Sequence, residues 1–114
     1  YFWYDAKRKK FCLIAKDDAH GGPSITGYWG GGFYAESDDA IHFSLPDHPL
    51  IYTRDIVWED GHHSTQGNLE RPTVLFNKEG DPTAIFFSSG ASEIPYSYEK
   101  PTFVLAFPLL PKEK

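Results

Sequence analysis

The sequence contains no methionine, a single cysteine and no long apolar run. Since Cys12 is alone, an intrachain disulfide is excluded, and its position in an apolar run predicts a buried, inert thiol. No apolar run approaches the roughly 18 residues of a membrane-spanning helix, so we expect no membrane partner. Because Tyr1 is not a translation start, we expect that the chain has lost its beginning, and the absence of a secretion signal excludes no compartment.

Basic residues are also scarce. The chain has 11 Lys and Arg against 16 Asp and Glu, which gives a formal net charge of −5. The longest basic run, Lys7 to Lys10, falls in a predicted turn, where charges are usually just solvated. A nucleic-acid groove needs basic residues spread over one face and interleaved with exposed aromatics. We therefore expect no nucleic-acid partner.

A helical repeat of apolar residues is missing throughout, whereas strand-like runs alternate with Gly, Pro, Asn and Asp. A length of 114 residues permits one small domain, and an apolar content of 40% is typical of a globular one. The sequence thus predicts one all-β domain over residues 1–114, built as an antiparallel meander. A meander suits a barrel, a sandwich or propeller blades, and periodicity does not choose among them.

The predicted strands form three hairpins and two further strands. They cover Phe2–Asp5, Lys10–Lys16, Phe33–Ser37, Ile41–Ser44, Leu50–Glu59 with a bend near Arg54-Asp55, Thr73–Phe76, Thr83–Ser88 and Thr102–Leu110. Between them we expect a Gly-rich loop over Asp17–Gly32, a polar loop over Asp60–Leu69 and a loop over Gly90–Pro101.

Glu70 is the leading candidate for a functional side chain. It follows the polar loop and precedes Arg71-Pro72 and an apolar run, so it lies at the start of a predicted strand. Pro72 fixes its own φ and favours an extended Arg71, which predicts a rigid strand start. Glu70 is then either a general acid that acts opposite a second carboxylate, or a structural carboxylate paired to a nearby arginine.

Several motifs carry a resemblance to a known family. Trp58-Glu59-Asp60-Gly61, the run from Gln66 to Phe76, and Gly80-Asp81-Pro82-Thr83 resemble the acid-bearing blade of family-43-like glycoside hydrolases. There, a Glu-Arg-Pro or similar tripeptide opens the inner strand of the blade. Upstream, Phe2–Asp5, Phe11–Lys16 and Gly31–Asp39 look like the preceding blade. The resemblance implies about two blades of a five-bladed β-propeller, with the N-terminal blades absent.

The same resemblance implies a mechanism. It makes Glu70 the general acid of an enzyme that cleaves a plant or algal polysaccharide or oligosaccharide. The sequence leaves the compartment open, and a secreted or periplasmic location would suit such an enzyme. The family's base and its pKa-tuning Asp belong to segments before Tyr1, so the isolated chain is not expected to hydrolyse a glycoside. Inverting chemistry is favoured, with acid and base carboxyls about 6.5 to 9.5 Å apart in the complete enzyme.

Other polar and aromatic residues are candidates for sugar contacts. Arg71 would orient Glu70 or bind a hydroxyl, and His63, Gln66 and Asn68 would shape the subsite. In the Gly-rich loop, His20 would touch sugar. Trp29 would either stack on a sugar ring or plug a neighbouring blade.

We expect no cofactor. A central divalent cation bound near His63 is an alternative to a histidine that binds substrate or nothing. Gly30-Gly31-Gly32 lacks the Lys and Ser or Thr of a phosphate-binding loop. No Gly-x-Ser-x-Gly elbow marks a serine nucleophile.

A second class of function also fits the pattern. A non-catalytic carbohydrate-binding or structural β domain would share the blade pattern and keep its aromatic residues without needing an acid. In either case, unpaired blade edges predict association through strands.

Overall fold

The computed structural model describes residues 1–17, 24–94 and 99–109. This part of the chain contains ten β-strands and no helix, and hence no helix long and apolar enough to cross a membrane. The prediction of an all-β, antiparallel domain is confirmed. The strands are β1 (Phe2–Asp5), β2 (Lys10–Lys16), β3 (Gly32–Ser37), β4 (Phe43–Ser44), β5 (Leu50–Tyr52), β6 (Asp55–Val57), β7 (His63–Thr65), β8 (Leu69–Phe76), β9 (Pro82–Gly90) and β10 (Thr102–Pro108).

The first sheet contains five strands, hydrogen-bonded in the order β1-β2-β3-β4, with β5 also paired to β3. The bounds predicted for β1 and β2 are confirmed. The Asp5 carboxylate forms the turn between them, because it accepts hydrogen bonds from the backbone N–H groups of Lys7 and Arg8. Lys9 completes the turn in a left-handed conformation, with φ 55°.

The second hairpin is shorter than predicted. We expected a strand over Ile41–Ser44, but β4 covers only Phe43–Ser44. The Asp39 carboxylate accepts hydrogen bonds from the N–H groups of Ile41 and His42, which holds both residues in the turn rather than in the ladder.

The strand predicted over Leu50–Glu59 is divided between two sheets. Its first part, β5, pairs with β3, and its second part, β6, pairs with β7 in a small two-stranded sheet. The break falls beside the predicted bend at Arg54-Asp55. β7 lies inside the segment predicted as a polar loop. A strand was not predicted there because His63–Thr65 has no alternation of apolar and polar residues.

The second sheet has the order β10-β9-β8, and both outer strands are antiparallel to β9. β8 carries a bulge: Glu70 is opposite Ser88 and Thr73 is opposite Phe86, so two residues of β8 oppose one of β9. The extended conformation expected for Arg71 is wrong, since Arg71 has φ 54°. The bulge takes Arg71 and Pro72 out of the ladder, where a residue without an N–H is tolerated.

The main core joins the small sheet to the second sheet. Its buried residues are Ile56, Leu69, Phe87 and Leu105. Tyr52 extends this core to the first sheet, because its ring contacts Phe87 with centroids 4.5 Å apart. Tyr52 on β5 therefore brings the first sheet into contact with the core that the other two sheets share.

Gly32 makes that connection possible. It pairs with Lys16 of β2 on one side and with Tyr52 of β5 on the other. A Cβ atom at Gly32 would overlap ring carbons Cε1, Cζ and Cδ1 of Tyr52, so the ring occupies the space above the glycine. A residue without a side chain is needed here for steric reasons.

We predict that Gly32→Ala lowers the free energy of unfolding by about 2 to 3 kcal/mol, because the new methyl group overpacks the Tyr52 ring. Urea denaturation measures this loss. In a Tyr52→Ala background the same substitution meets no ring and should be almost neutral. Strictly additive losses in the double variant would contradict the steric explanation.

Candidate functional site

A polar pocket lies where the end of β2 meets the start of β8. Its volume is about 450 Å³. The lining residues are Lys16, Asn68, Glu70, Arg71, Ser88, Ser89 and Thr102. The structure therefore brings together three of the predicted site residues, Glu70, Arg71 and Asn68.

An ion pair crosses this pocket. Lys16 Nζ lies 2.8 Å from Glu70 Oε1, and the two side chains are only 19% and 27% exposed. The pair connects the first sheet to the second and bridges 54 positions of the sequence. The structural interpretation of Glu70 expected an arginine partner, but the cation in contact with it is a lysine. Its second oxygen, Oε2, makes no hydrogen bond to the described part of the chain.

Tyr52 places a phenol close to this ion pair. Its hydroxyl is buried and has no hydrogen-bond partner among the described residues. Burial, followed by the negative charge of Glu70, raises the pKa of Tyr52 from 10.0 to about 12, and the positive charge of Lys16 opposes this. Since Gly32 has no side chain, the phenol can approach Lys16 and Glu70 across β3.

The remaining lining groups include four neutral polar side chains. Asn68, Ser88 and Thr102 supply amide and hydroxyl groups that both donate and accept hydrogen bonds, whereas the Ser89 hydroxyl is buried and already accepts one from Gln66. In the described parts of the chain, the Arg71 guanidinium forms no ion pair. Glu70 is the single carboxylate among the described residues that line the pocket.

Gln66 lies behind this pocket rather than in it. It is 2% exposed, and its Nε2 donates to Ser89 Oγ at 2.9 Å and to the carbonyl of Gly90 at 3.1 Å. Its Oε1 accepts a hydrogen bond from Ser64, whose hydroxyl in turn accepts one from the Trp58 indole. The Gln66 amide thus connects Ser64 of β7 to Ser89 and Gly90 of β9 behind the pocket.

Trp29 lies in the loop before β3, outside the Glu70 pocket. The guanidinium carbon of Arg54 lies over the Trp29 ring, 5.0 Å from its centroid, so that ring face is covered. Arg54 also donates to the Gln66 carbonyl, which connects the loop to the network around Gln66. His20, the other sugar-contact candidate of this loop, lies outside the described residues.

Asp17 organises the described end of that loop. Its Oδ2 accepts hydrogen bonds from the Ser24 hydroxyl and from both the hydroxyl and the backbone N–H of Thr26. Burial by itself would raise the pKa of Asp17, but these hydrogen bonds outweigh it and lower the pKa below its usual value. The carboxylate is thus committed to loop structure.

His63 is exposed on β7 and does not line the Glu70 pocket. Its neighbour His62 stacks on Trp58, with ring centroids 5.5 Å apart, and contacts the Asp60 carboxylate through Nδ1. Within residues 1–17, 24–94 and 99–109, no group of three or more His, Cys, Asp or Glu side chains is arranged to hold a metal ion.

The sequence did not indicate a polar cluster around Cys12. The thiol is buried, as expected, but Arg8 Nη2 lies 3.5 Å from Sγ and the Tyr34 hydroxyl 3.3 Å from it. Arg8 also contacts the carboxylates of Glu36 and Asp5 at 2.6 and 2.9 Å. The ion pair with Arg8 lowers the pKa of Glu36. Arg8 is thereby engaged in holding the first hairpin on β3.

Comparison of the chain with protein-family models, curated proteins and solved structures finds no match in any of the three.

We predict that the raised pKa of Tyr52 makes stability depend on alkaline pH. The unfolded chain ionises Tyr52 near its ordinary pKa of 10.0, whereas the folded chain holds the proton up to about 12. The stabilisation is therefore complete below pH 10 and is lost as the pH rises through this interval. As the pH is raised from about 9 to about 12, the free energy of unfolding of Tyr52→Phe should fall less than that of the wild type. Urea denaturation at each pH measures both values. Identical losses would contradict the assignment.

Proposed function

We propose that this chain supplies the acid-bearing wall of a glycoside hydrolase, with Glu70 as the general acid. The observation that carries the proposal is the position of Glu70: its carboxylate lies in a polar pocket, with Oε1 on Lys16 and Oε2 without a hydrogen-bond partner in the described chain. In this proposal Oε2 carries the proton that passes to the glycosidic oxygen as the leaving group departs.

The other groups of the pocket have roles that follow from their chemistry. Lys16 fixes the direction of the carboxylate through its contact with Oε1. Arg71, which is displaced from the ladder by the bulge in β8, reaches a sugar hydroxyl from the pocket rim. The hydroxyl groups of Ser88 and Thr102 and the amide of Asn68 exchange hydrogen bonds with the remaining hydroxyls of the ring.

The proposal extends to the architecture. The antiparallel sheets of five, two and three strands represent about two blades of a five-bladed propeller whose other blades come from outside these residues. The second catalytic carboxylate, the base of an inverting reaction, comes from there too. Resemblance to family-43-like hydrolases at Glu70-Arg71-Pro72 and its flanking motifs supports this reading.

One observation favours a second candidate, a carbohydrate-binding β domain without hydrolysis. Glu70 is the single carboxylate among the described lining residues, and a lysine contacts it directly. A carboxylate held in this way is a good acceptor for sugar hydroxyls and needs no catalytic partner.

Leaving groups of different acidity separate the two candidates. In the whole protein that carries this chain, we predict that Glu70→Gln lowers kcat on a glycoside with a sugar leaving group by about 100- to 10,000-fold. On the matching dinitrophenyl glycoside the loss should be below about tenfold, because this leaving group departs without protonation.

Glu79→Gln is the matched control, since Glu79 is exposed in the turn between β8 and β9, outside the lining of the pocket. It should leave both rates unchanged. Equal losses on both substrates for Glu70→Gln would overturn the acid role. If the whole protein shows no turnover and Glu70→Gln lowers its affinity for the sugar, the binding candidate is supported.

A further inference from the structure

A second cavity, separate from the Glu70 pocket, lies between the small sheet and the second sheet. Its volume is about 630 Å³. One side is lined by the consecutive residues Ile56–Asp60 together with His62, and the other by the consecutive residues Val104–Pro108 of β10. Because side chains of a strand alternate between faces, a groove lined by consecutive residues follows the edge of a strand.

The hydrogen bonds of β10 show which of its backbone groups face this groove. Leu109 N donates to the Thr83 carbonyl at 2.8 Å, and Ala91 N donates to the Pro101 carbonyl at 3.0 Å. Leu109 and Pro101, the residues on the β10 side of these two hydrogen bonds, both have odd numbers. Since bonded and non-bonded pairs alternate in an antiparallel ladder, the odd-numbered residues of β10 bond to β9.

The even-numbered residues of β10 therefore direct their backbone groups away from β9. Thr102, Val104 and Ala106 present N–H and C=O groups at the open edge. Pro108 ends the strand on the same side, where the lack of an N–H costs no ladder bond. Within the described chain, β10 pairs with β9 alone.

The same reasoning applies to β6. Trp58 N donates to the His62 carbonyl at 2.9 Å, and Gln66 N donates to the Arg54 carbonyl at 2.8 Å. The even-numbered residues of this segment thus bond toward β7. Val57, which lines the cavity, directs its backbone groups away from β7 and toward the groove. The N–H and C=O of Asp55 also point away from β7, but both are hydrogen-bonded to the Thr53 hydroxyl, at 3.2 and 3.4 Å.

The two open edges also present matching faces. Ile56 and Leu105 are both buried in the main core, whereas Val57 and Val104 are 63% and 69% exposed. One face of each strand therefore contacts the core and the other faces solvent. A strand placed between β10 and β6 would likewise have one face toward the core and the other toward solvent.

One end of the groove is acidic. Glu59 and Asp60 are exposed there, and the Asp60 carboxylate is contacted by His62, which lines the same end. Trp58 contacts Phe103 with ring centroids 6.3 Å apart, which places this end beside the start of β10. A ligand strand that runs antiparallel to β10 would finish at these carboxylates. A basic residue at its C-terminal end would then be favoured.

We propose that this groove binds an extended peptide from another protein, which adds as a strand between β10 and β6 and carries a basic residue at its C-terminal end. The peptide satisfies the open backbone groups of Thr102, Val104 and Ala106 on one side and those of Val57 on the other, and it joins the two-stranded and three-stranded sheets into one. Its apolar residues alternate toward the core formed by Ile56 and Leu105. This inference is independent of the role of Glu70.

The test uses the synthetic peptide Thr-Val-Thr-Val-Thr-Lys with an amidated C-terminus and the whole protein that carries this chain. Binding should change the fluorescence of Trp58 and slow hydrogen exchange at the Val104 and Ala106 amides by at least about tenfold. Val104→Pro, which removes one outward N–H, should weaken binding more than tenfold, or by about 1.4 kcal/mol. Val104→Ala keeps the N–H and serves as the matched control.

A charge exchange tests the acidic end without altering the strands. Glu59→Lys should weaken binding of the lysine-ended peptide and strengthen binding of the same peptide ending in Glu. No response of either probe at about 1 mM peptide would overturn the proposal. So would equal binding by Val104→Pro and Val104→Ala. Concentration-dependent dimerisation that protects the same amides without peptide would assign the groove to a second copy of the chain and overturn the peptide assignment.

Discussion

The arrangement of the sheets depends on one steric constraint, the passage of the Tyr52 ring over Gly32. Because β3 has no side chain at this position, the ring of a β5 residue can cross it and pack on Phe87 in the main core. The same crossing brings a buried phenol close to the Lys16–Glu70 ion pair. The first sheet thereby contributes both to the hydrophobic core and to the polar pocket.

Local chemistry made much of the fold predictable. The first hairpin follows from Asp5 and the turn residues beside it, and the hairpin of β8 and β9 from the turn between them. The β7 strand was not predictable in this way. Its buried neighbour is Gln66, and hydrogen bonds rather than apolar alternation hold it in place. Likewise, the Leu50–Glu59 segment reads as one strand because nothing in its composition shows that its halves pair with different sheets.

The candidate site was predictable only in part. Glu70 was singled out by its position between a polar loop and Arg71-Pro72 and by the resemblance of its tripeptide and flanking motifs to a known family. Lys16 and Tyr52 were not, because their contact with Glu70 depends on how two sheets meet rather than on any local pattern. The backbone conformation of Arg71 was not predictable either. The general preference of a residue before proline for extended geometry is overridden where two residues of β8 must oppose one of β9.

The chain of hydrogen bonds from Trp58 through Ser64 and Gln66 to Ser89 has a further consequence. A hairpin of two three-residue strands with one buried apolar side chain, Ile56, has little to distinguish its native register from one shifted by a residue. Directional hydrogen bonds to a fixed partner on β9 are lost in any shifted register. These hydrogen bonds therefore select the native register of the hairpin.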